Sequence, residues 1–240
     1  MTTATYVTYA DLGGQRGFGR VVEPGYDGTE PVFHAPWEAT ALALTVAMGA
    51  SGEWNIDISR SAREQLPGYV ALSYYEKWLG GLLQLLLERA LVGEDELAAG
   101  HALRTARPVK RVLRAADVTP VLAKGSSAER KRDGAPRFAV GDRVRTLDRV
   151  ANHHTRLPGY ARGKVGRVAA LHGAHVFADS NAQGQGEAPQ WLYSIEFDAA
   201  TLWPDATGPH VVSIDAWEPY MENCVEHSVQ ARVEPRVEPE

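Results

Sequence analysis

The hydrophobic pattern of this chain changes its period once, and that change divides it into two parts that cannot share one kind of secondary structure. Up to about residue 104 the apolar residues fall at helical spacing, and after Arg137 they alternate. In the first part Trp37, Leu42, Leu44, Val46 and Met48 lie in an alanine-rich, proline-free stretch, which predicts a largely buried helix. A second, short helix is expected from Asp57 to Leu66, where Pro67-Gly68 stops it. The strongest pattern runs from Ser73 to Leu91, with Ser73 as N-cap, Glu76 three residues on as in a capping box, and Gly93 just past the end. A fourth helix is expected from Glu94 to near Leu103.

The alternating part contains Phe138 and Val140, a Gly141-Asp142 turn, Val144, then Val165 and Val168 around Gly166. Tyr193, Ile195 and Phe197 follow, and Val211, Val212 and Ile214 end the series. Short strands with turn signals between them predict a small antiparallel SH3-like barrel. The expected fold class is α+β: an extended arm (1–36) that wraps a partner chain, a helical domain (37–104), a linker (105–136), the SH3-like barrel (137–222) and a disordered tail (223–240). The arm follows from the glycines between Gly13 and Gly28, which disfavour helix and central strand, combined with Tyr6, Tyr9, Phe18, Tyr26 and Phe33, whose rings gain free energy only against a surface. In the linker, Pro108, Pro120, Gly125, Gly134 and Pro136 bracket the run Glu129-Arg130-Lys131-Arg132-Asp133, which reads as a solvated cluster.

A net charge of -5 with dispersed Lys and Arg gives no electrostatic reason to expect nucleic acid as a partner. The single cysteine, Cys224, excludes an internal disulfide and a cysteine-based metal cluster, and fits a cytoplasmic protein. The N-terminus lacks the charged-then-apolar pattern of a signal, and the apolar run from Leu79 to Leu87 is short and interrupted by Gln84, so neither export nor a membrane span is expected. The glycine run does not follow a strand and open a helix, so it is no phosphate loop. His153-His154 and the pair His172 and His175 are the only close histidine sets, and the second has Asp179 as its one nearby carboxylate. That is thin for a metal site.

Two segments remain. Trp54 to Arg60 leads into a helix and is followed by Ser73 to Trp78, where Tyr74 and Trp78 are four apart and share a helix face. Residues His153 to Gly166 form a loop whose proline and glycines fix the backbone while Arg156 and Arg162 present guanidinium groups, planar forks suited to oxyanions. From the residues alone, core packing of Tyr74 and Trp78 and surface ion pairs for Arg60 and Arg156 are the commoner fates of such residues.

Six segments in order resemble the nitrile hydratase beta subunit. They are Asp11-Leu12-Gly13-Gly14 through Gly17-Phe18-Gly19, Pro31 to Glu38, Tyr74-Tyr75-Glu76-Lys77-Trp78, Phe138 to Val144, His154 to Gly163, and Asp215 to Glu222. The resemblance covers roughly residues 11–222; it departs from the family pattern at Ala10, where a histidine is usual, and in the tail. It implies hydration of small-molecule nitriles to amides by a heterodimer or heterotetramer. The cobalt(III), or less commonly iron(III), ion sits in the alpha subunit on cysteines oxidised to sulfinate and sulfenate, and this chain binds no metal. By motif, the two arginines that hydrogen-bond to the oxidised sulfurs fall on Arg60 and Arg156. Tyr74 resembles the pocket tyrosine and Trp78 an aromatic wall of the substrate channel, tryptophan there pointing to the cobalt branch; Glu64 and His154 match an outer hydrogen-bond network. The rival expectations are a thiocyanate hydrolase-like subunit, an accessory activator, and a non-enzymatic SH3-like binding module.

Overall fold

Helix α1 (Pro36–Ala50) starts on a proline, tolerated there because the first helical N–H has no partner within the helix, and the Glu38 carboxylate accepts from the backbone N–H groups of His34 and Ala35. The computed structural model describes residues 6–15, 17–18 and 31–224; the expectations for Gly19, Tyr26, Gly28 and the tail beyond Cys224 fall outside these. Contrary to the expectation of a largely buried helix, only Glu38 and Ala41 of α1 are buried, while Trp37 and Leu44 are 40% and 48% exposed. The helix packs on α3 (Tyr74–Glu88), and among the described residues no second layer covers its outer side.

Helix α2 (Ile56–Glu64) is capped by the Asn55 side chain, which accepts from the N–H groups of Asp57 and Ile58. Helix α3 opens with the expected capping box: Glu76 N–H donates to Ser73 Oγ, and Ser73 N–H donates to the Glu76 carboxylate. Buried Trp54, Ala62, Leu82 and Leu85 form the core between α2 and α3. The two helices approach at Gly81, where a Cβ would stand 2.5 Å from Arg63 Cγ and 3.2 Å from the Arg63 backbone nitrogen.

The end of α3 corrects the expectation. The left-handed residue is Ala90 (φ 51), not a glycine, and Leu91 N–H returns to the Leu86 carbonyl at 2.9 Å as in a Schellman motif. Gly93 instead precedes α4 (Glu94–Ala99), which stops at Gly100 (φ 70), short of Leu103. An L-residue held in the left-handed region is disfavoured by about 1 kcal/mol, partly offset by glycine's larger unfolded-state entropy. Ala90→Gly is therefore expected to stabilise the chain by about 0.5 to 1 kcal/mol, a rise of a few degrees in thermal midpoint. A midpoint that falls would refute the reading of this turn.

The segment expected as a linker also differs. It holds a 3₁₀ turn (Ala115–Asp117), helix α5 (Val118–Lys124) and strand β1 (Glu129–Arg130). The basic run is not simply solvated: Arg130 grips Glu187 through Nε and a terminal nitrogen at 2.6 and 2.7 Å, raising the arginine's pKa and lowering the carboxylate's.

Strands β2 (Arg143–Thr146), β3 (Val165–His175), β4 (Gln190–Asp198), β5 (Val211–Trp217) and β6 (Met221–Asn223) pair antiparallel in the order β5-β4-β3-β2-β6. β1 pairs with the far end of β3, at Ala174 and His175, which β2 does not reach. Alternation buries Tyr193, Ile195 and Phe197 of β4 with Val144 of β2, Val168 of β3 and Ala216 of β5. The sheet expected to close as a barrel is open, with five strands along its path and β1 paired to β3 off that path. A 3₁₀ turn, Glu218–Tyr220, carries the chain from β5 at one edge to β6 at the other. Four residue steps span at most about 14 Å, so the sheet curls until its edges face each other at that corner. β6 has only three residues, all paired to β2, leaving few groups for a second ladder. Helix α6 (Ala178–Ala182) joins β3 to β4, and α7 (Ala199–Leu202) joins β4 to β5.

The described part of the arm lies on its own chain. Tyr9 N–H donates to the Glu64 carbonyl at 2.8 Å, and Gly13 lies against the Tyr160 ring.

Candidate functional site

Helix α2 and the loop between β2 and β3 come together beneath the arm, where Glu64 in the last turn of α2 meets His154, and each element carries one expected arginine. On α2, Arg60 Nη1 donates to Asp57 Oδ1 at 2.9 Å, one turn back, while its side chain stays 44% exposed. Asp57 is buried, and its other oxygen accepts from Asn181 Nδ2 of α6 at 2.8 Å. One guanidinium carries five donors, so Arg60 can hold Asp57 and still offer donors outward.

Arg156 is exposed on the loop, and its backbone N–H donates to the Tyr220 hydroxyl at 3.0 Å. The Thr155 hydroxyl donates to the same oxygen at 3.2 Å, and Tyr220 in turn donates to Asp179 Oδ1 of α6. The Tyr220 oxygen thus gives its one proton and fills both lone pairs. Burial and the Asp179 carboxylate push the Tyr220 pKa up; burial also raises that of Asp179, against the Tyr220 hydrogen bond and nearby His153. Arg162 departs from the expectation that it is presented outward. It donates to Asp11 Oδ2 at 3.0 Å, and Asp11 also accepts from Gly159 N–H at 2.9 and 3.0 Å, so this arginine ties the loop to the arm.

Glu64 and His154 meet at 2.7 Å, Oε2 to Nδ1, with the imidazole fully buried. The contact joins the last turn of α2 to the arginine loop. Tyr6 hydroxyl donates to the same Oε2 at 3.3 Å, and burial followed by the Glu64 charge raises the Tyr6 pKa. His154 Nε2 is buried with no polar partner among the described residues.

Tyr74 and Trp78 share one face as the spacing predicts, with ring centroids 5.4 Å apart and Tyr74 63% exposed. Tyr75 and Phe33 extend them into a continuous aromatic surface. The Arg63 guanidinium lies 5.1 Å over the Trp78 ring, and burial lowers the Arg63 pKa. A groove of about 470 Å³ runs beside the loop, lined among others by Asp11, Glu64, Arg156, Tyr160, Asp215 and Trp217. Arg156 and Glu64 share it; Arg60, Tyr74 and Trp78 lie outside its walls.

Among the described residues no group of three or more His, Cys, Asp or Glu side chains is placed to hold a metal ion. His172 bonds the Ser194 hydroxyl across the exposed sheet at 2.7 Å. What the site offers is a set of fixed cationic and aromatic groups on a surface. The residues that fix them, Asp57, Asp179, Asn181 and Tyr220, carried no site expectation. Their one local trace is Asn55 as a helix cap, since the other contacts join distant parts of the sequence. No helix of the described residues is long and apolar enough to cross a membrane.

Residues 7–121 match the family model for the nitrile hydratase beta subunit, N-terminal, and residues 127–223 that for its C-terminal part. The low-molecular-weight cobalt-containing nitrile hydratase subunit beta of Rhodococcus rhodochrous is 38% identical over 221 residues, covering 88% of this chain and 96% of its own. The cobalt-containing nitrile hydratase subunit beta of Pseudonocardia thermophila is 32% identical over 223 residues, with 88% and 94% covered. Thiocyanate hydrolase subunit alpha of Thiobacillus thioparus is 39% identical over only 72 residues, 30% of this chain and 57% of its own. With both halves matched in order and full-length relatives above 30% identity, the chain belongs to the family of nitrile hydratase beta subunits.

Proposed function

We propose that this chain is the positioning half of a nitrile hydratase, adding water to a nitrile to give an amide in a heterodimer or heterotetramer with a separate alpha subunit. The observation that carries the reading is that Arg60 and Arg156 stand exposed on elements held from behind by buried groups. Oxidised cysteines are anions in a water-poor cleft, and permanently charged, pre-aimed donors suit them. Two forks fit that need. The relatives named as cobalt-containing favour cobalt over iron in the partner. That ion, when bound, supplies Lewis-acid activation of nitrile or water.

In this reading Arg60 and Arg156 hydrogen-bond to the oxygens of the oxidised sulfurs. Tyr74 and Trp78 form a wall of the nitrile channel, their rings giving apolar surface and their edges limiting approach. Glu64 and His154 hold α2 to the loop that bears Arg156 and so belong to the outer hydrogen-bond network. We read the curled sheet as SH3-like, a frame for that loop. A thiocyanate hydrolase subunit is the second reading, favoured only by the 72-residue match, whereas both hydratase models are matched along one chain.

The test is co-expression with the neighbouring open reading frame in cobalt-supplemented and iron-supplemented medium, followed by metal analysis and amide assay on the purified complex. A stoichiometric metal-bearing partner and conversion of a simple nitrile are expected. A metal-free monomer that turns over no nitrile in either medium would refute the proposal, and thiocyanate turnover in place of nitrile turnover would select the second reading.

A further inference from the structure

The family reading gives the two arginines a task but says nothing of what sets the distance between them. Their supports converge on one short element. Behind Arg60 the chain of contacts runs through Asp57 to Asn181, and behind Arg156 it runs through Tyr220 to Asp179. Asp179 and Asn181 are two residues apart on α6 and both are buried. Two helical steps rotate a side chain by about 200°, so these residues face nearly opposite sides, one toward the sheet corner and one toward α2. Asn181 uses both ends of its amide: Nδ2 donates to Asp57, and Oδ1 accepts from Asn55 at 2.9 Å. Its backbone carbonyl accepts from Asn55 as well, at 2.7 Å. The helix is itself seated by Phe177, whose ring packs on Trp217 and Tyr220.

We infer that α6 is a common brace for the two arginines, and that Asn181 and Asp179 are positioning residues that set the spacing of the two guanidinium groups through Asp57 and Tyr220. The inference rests on the arginine role proposed above. Two forks that must grip oxygens of one rigid centre tolerate little error, and a displacement near 1 Å costs on the order of a hundredfold in rate.

The experiment uses the assembled, metal-loaded complex, with Asn181→Ala and Asp179→Ala made alone and combined with Arg60→Lys and Arg156→Lys. Each alanine variant is expected to lower kcat by about tenfold to a hundredfold with KM within about threefold. Asn181→Ala should add little to Arg60→Lys but its full penalty to Arg156→Lys, and Asp179→Ala the reverse. Asp179→Asn keeps an acceptor for the Tyr220 hydroxyl and should restore most of the rate. Independently of turnover, amide hydrogen exchange across residues 155–157 should quicken in Asp179→Ala and not in Asn181→Ala.

Normal kcat in both alanine variants, or penalties that add to both arginine variants alike, overturns the brace while leaving the arginine role intact. Near-normal turnover of Arg60→Lys and Arg156→Lys overturns the arginine role and the brace with it. If an alanine variant does not assemble, Asp57→Asn carries the same test on the α2 side. Its neutral amide can satisfy Arg60 or Asn181 but not both, and an unchanged kcat there refutes the inference.

Discussion

Arg60→Lys and Arg156→Lys are each expected to lower turnover of the assembled hydratase by about a hundredfold or more, with assembly and KM nearly unchanged. Lysine keeps the charge but concentrates its three donors on one atom. At position 60 that atom would be drawn to Asp57, which already holds one nitrogen of the arginine, leaving no second edge for a sulfur oxygen. At position 156 the loop is anchored through the backbone N–H and not the side chain, so substitution leaves the Tyr220 contact in place and isolates the loss of the fork. Metal content and amide formation measured on the same samples check this. Fully loaded variants that both turn over within about twofold of the parent would eliminate direct sulfur-oxygen contacts as their task.

The second large effect is on stability. Gly166 is buried in β3, and a Cβ there would lie 2.7 Å from Ile195 Cγ2, 2.8 Å from the Glu196 carbonyl oxygen and 2.9 Å from the Phe197 ring. A ring can turn slightly, but the carbonyl belongs to the β3 and β4 ladder, so an added methyl must push two paired strands apart at the middle of the sheet. Gly166→Ala is expected to destabilise by about 3 kcal/mol, which for a chain of this size lowers the thermal midpoint by roughly 6 to 12 °C. Gly49→Ala in α1 is the matched control. Nothing lies within 4 Å of a Cβ there and alanine favours a helix, so its midpoint should hold or rise slightly. Equal midpoints for the two variants would show that the close approach at Gly166 is not what limits the sheet.

Much of this architecture is legible along the chain, because caps and alternation are local. Ser73 and Glu76 announce the start of α3 by chemistry within one turn, and Tyr193, Ile195 and Phe197 declare their buried face by spacing alone. The end of α3 is not legible. A glycine at position 93 is the stronger local signal, yet the turn closes at Ala90 because Leu91 is drawn against the helical core. The exposure of α1 is likewise hidden, since Leu44 and Trp37 look like core until the neighbours they lack are known. Strand alternation cannot say whether a sheet closes, a matter of edge lengths and of the three-residue step to β6. Tyr74 and Trp78 stand out by helical spacing and Arg156 by its loop, but the roles expected of them, and of Arg60, come only from motif resemblance. Asp57 and Asn181, 124 positions apart, meet by tertiary placement that no local pattern encodes.

The bare outer side of α1 has a consequence for how a cell must supply this subunit. A monomer showing Val32, Trp37 and Leu44 to water is prone to self-association and to capture by proteases, while one promptly matched with a mate hides such surface. On the proposed assembly, production in step with the other polypeptide would shorten the time such surface stays in water. Solubility of this chain made alone, compared with its solubility when made together with the proposed partner, would then depend on how much of that face the mate hides.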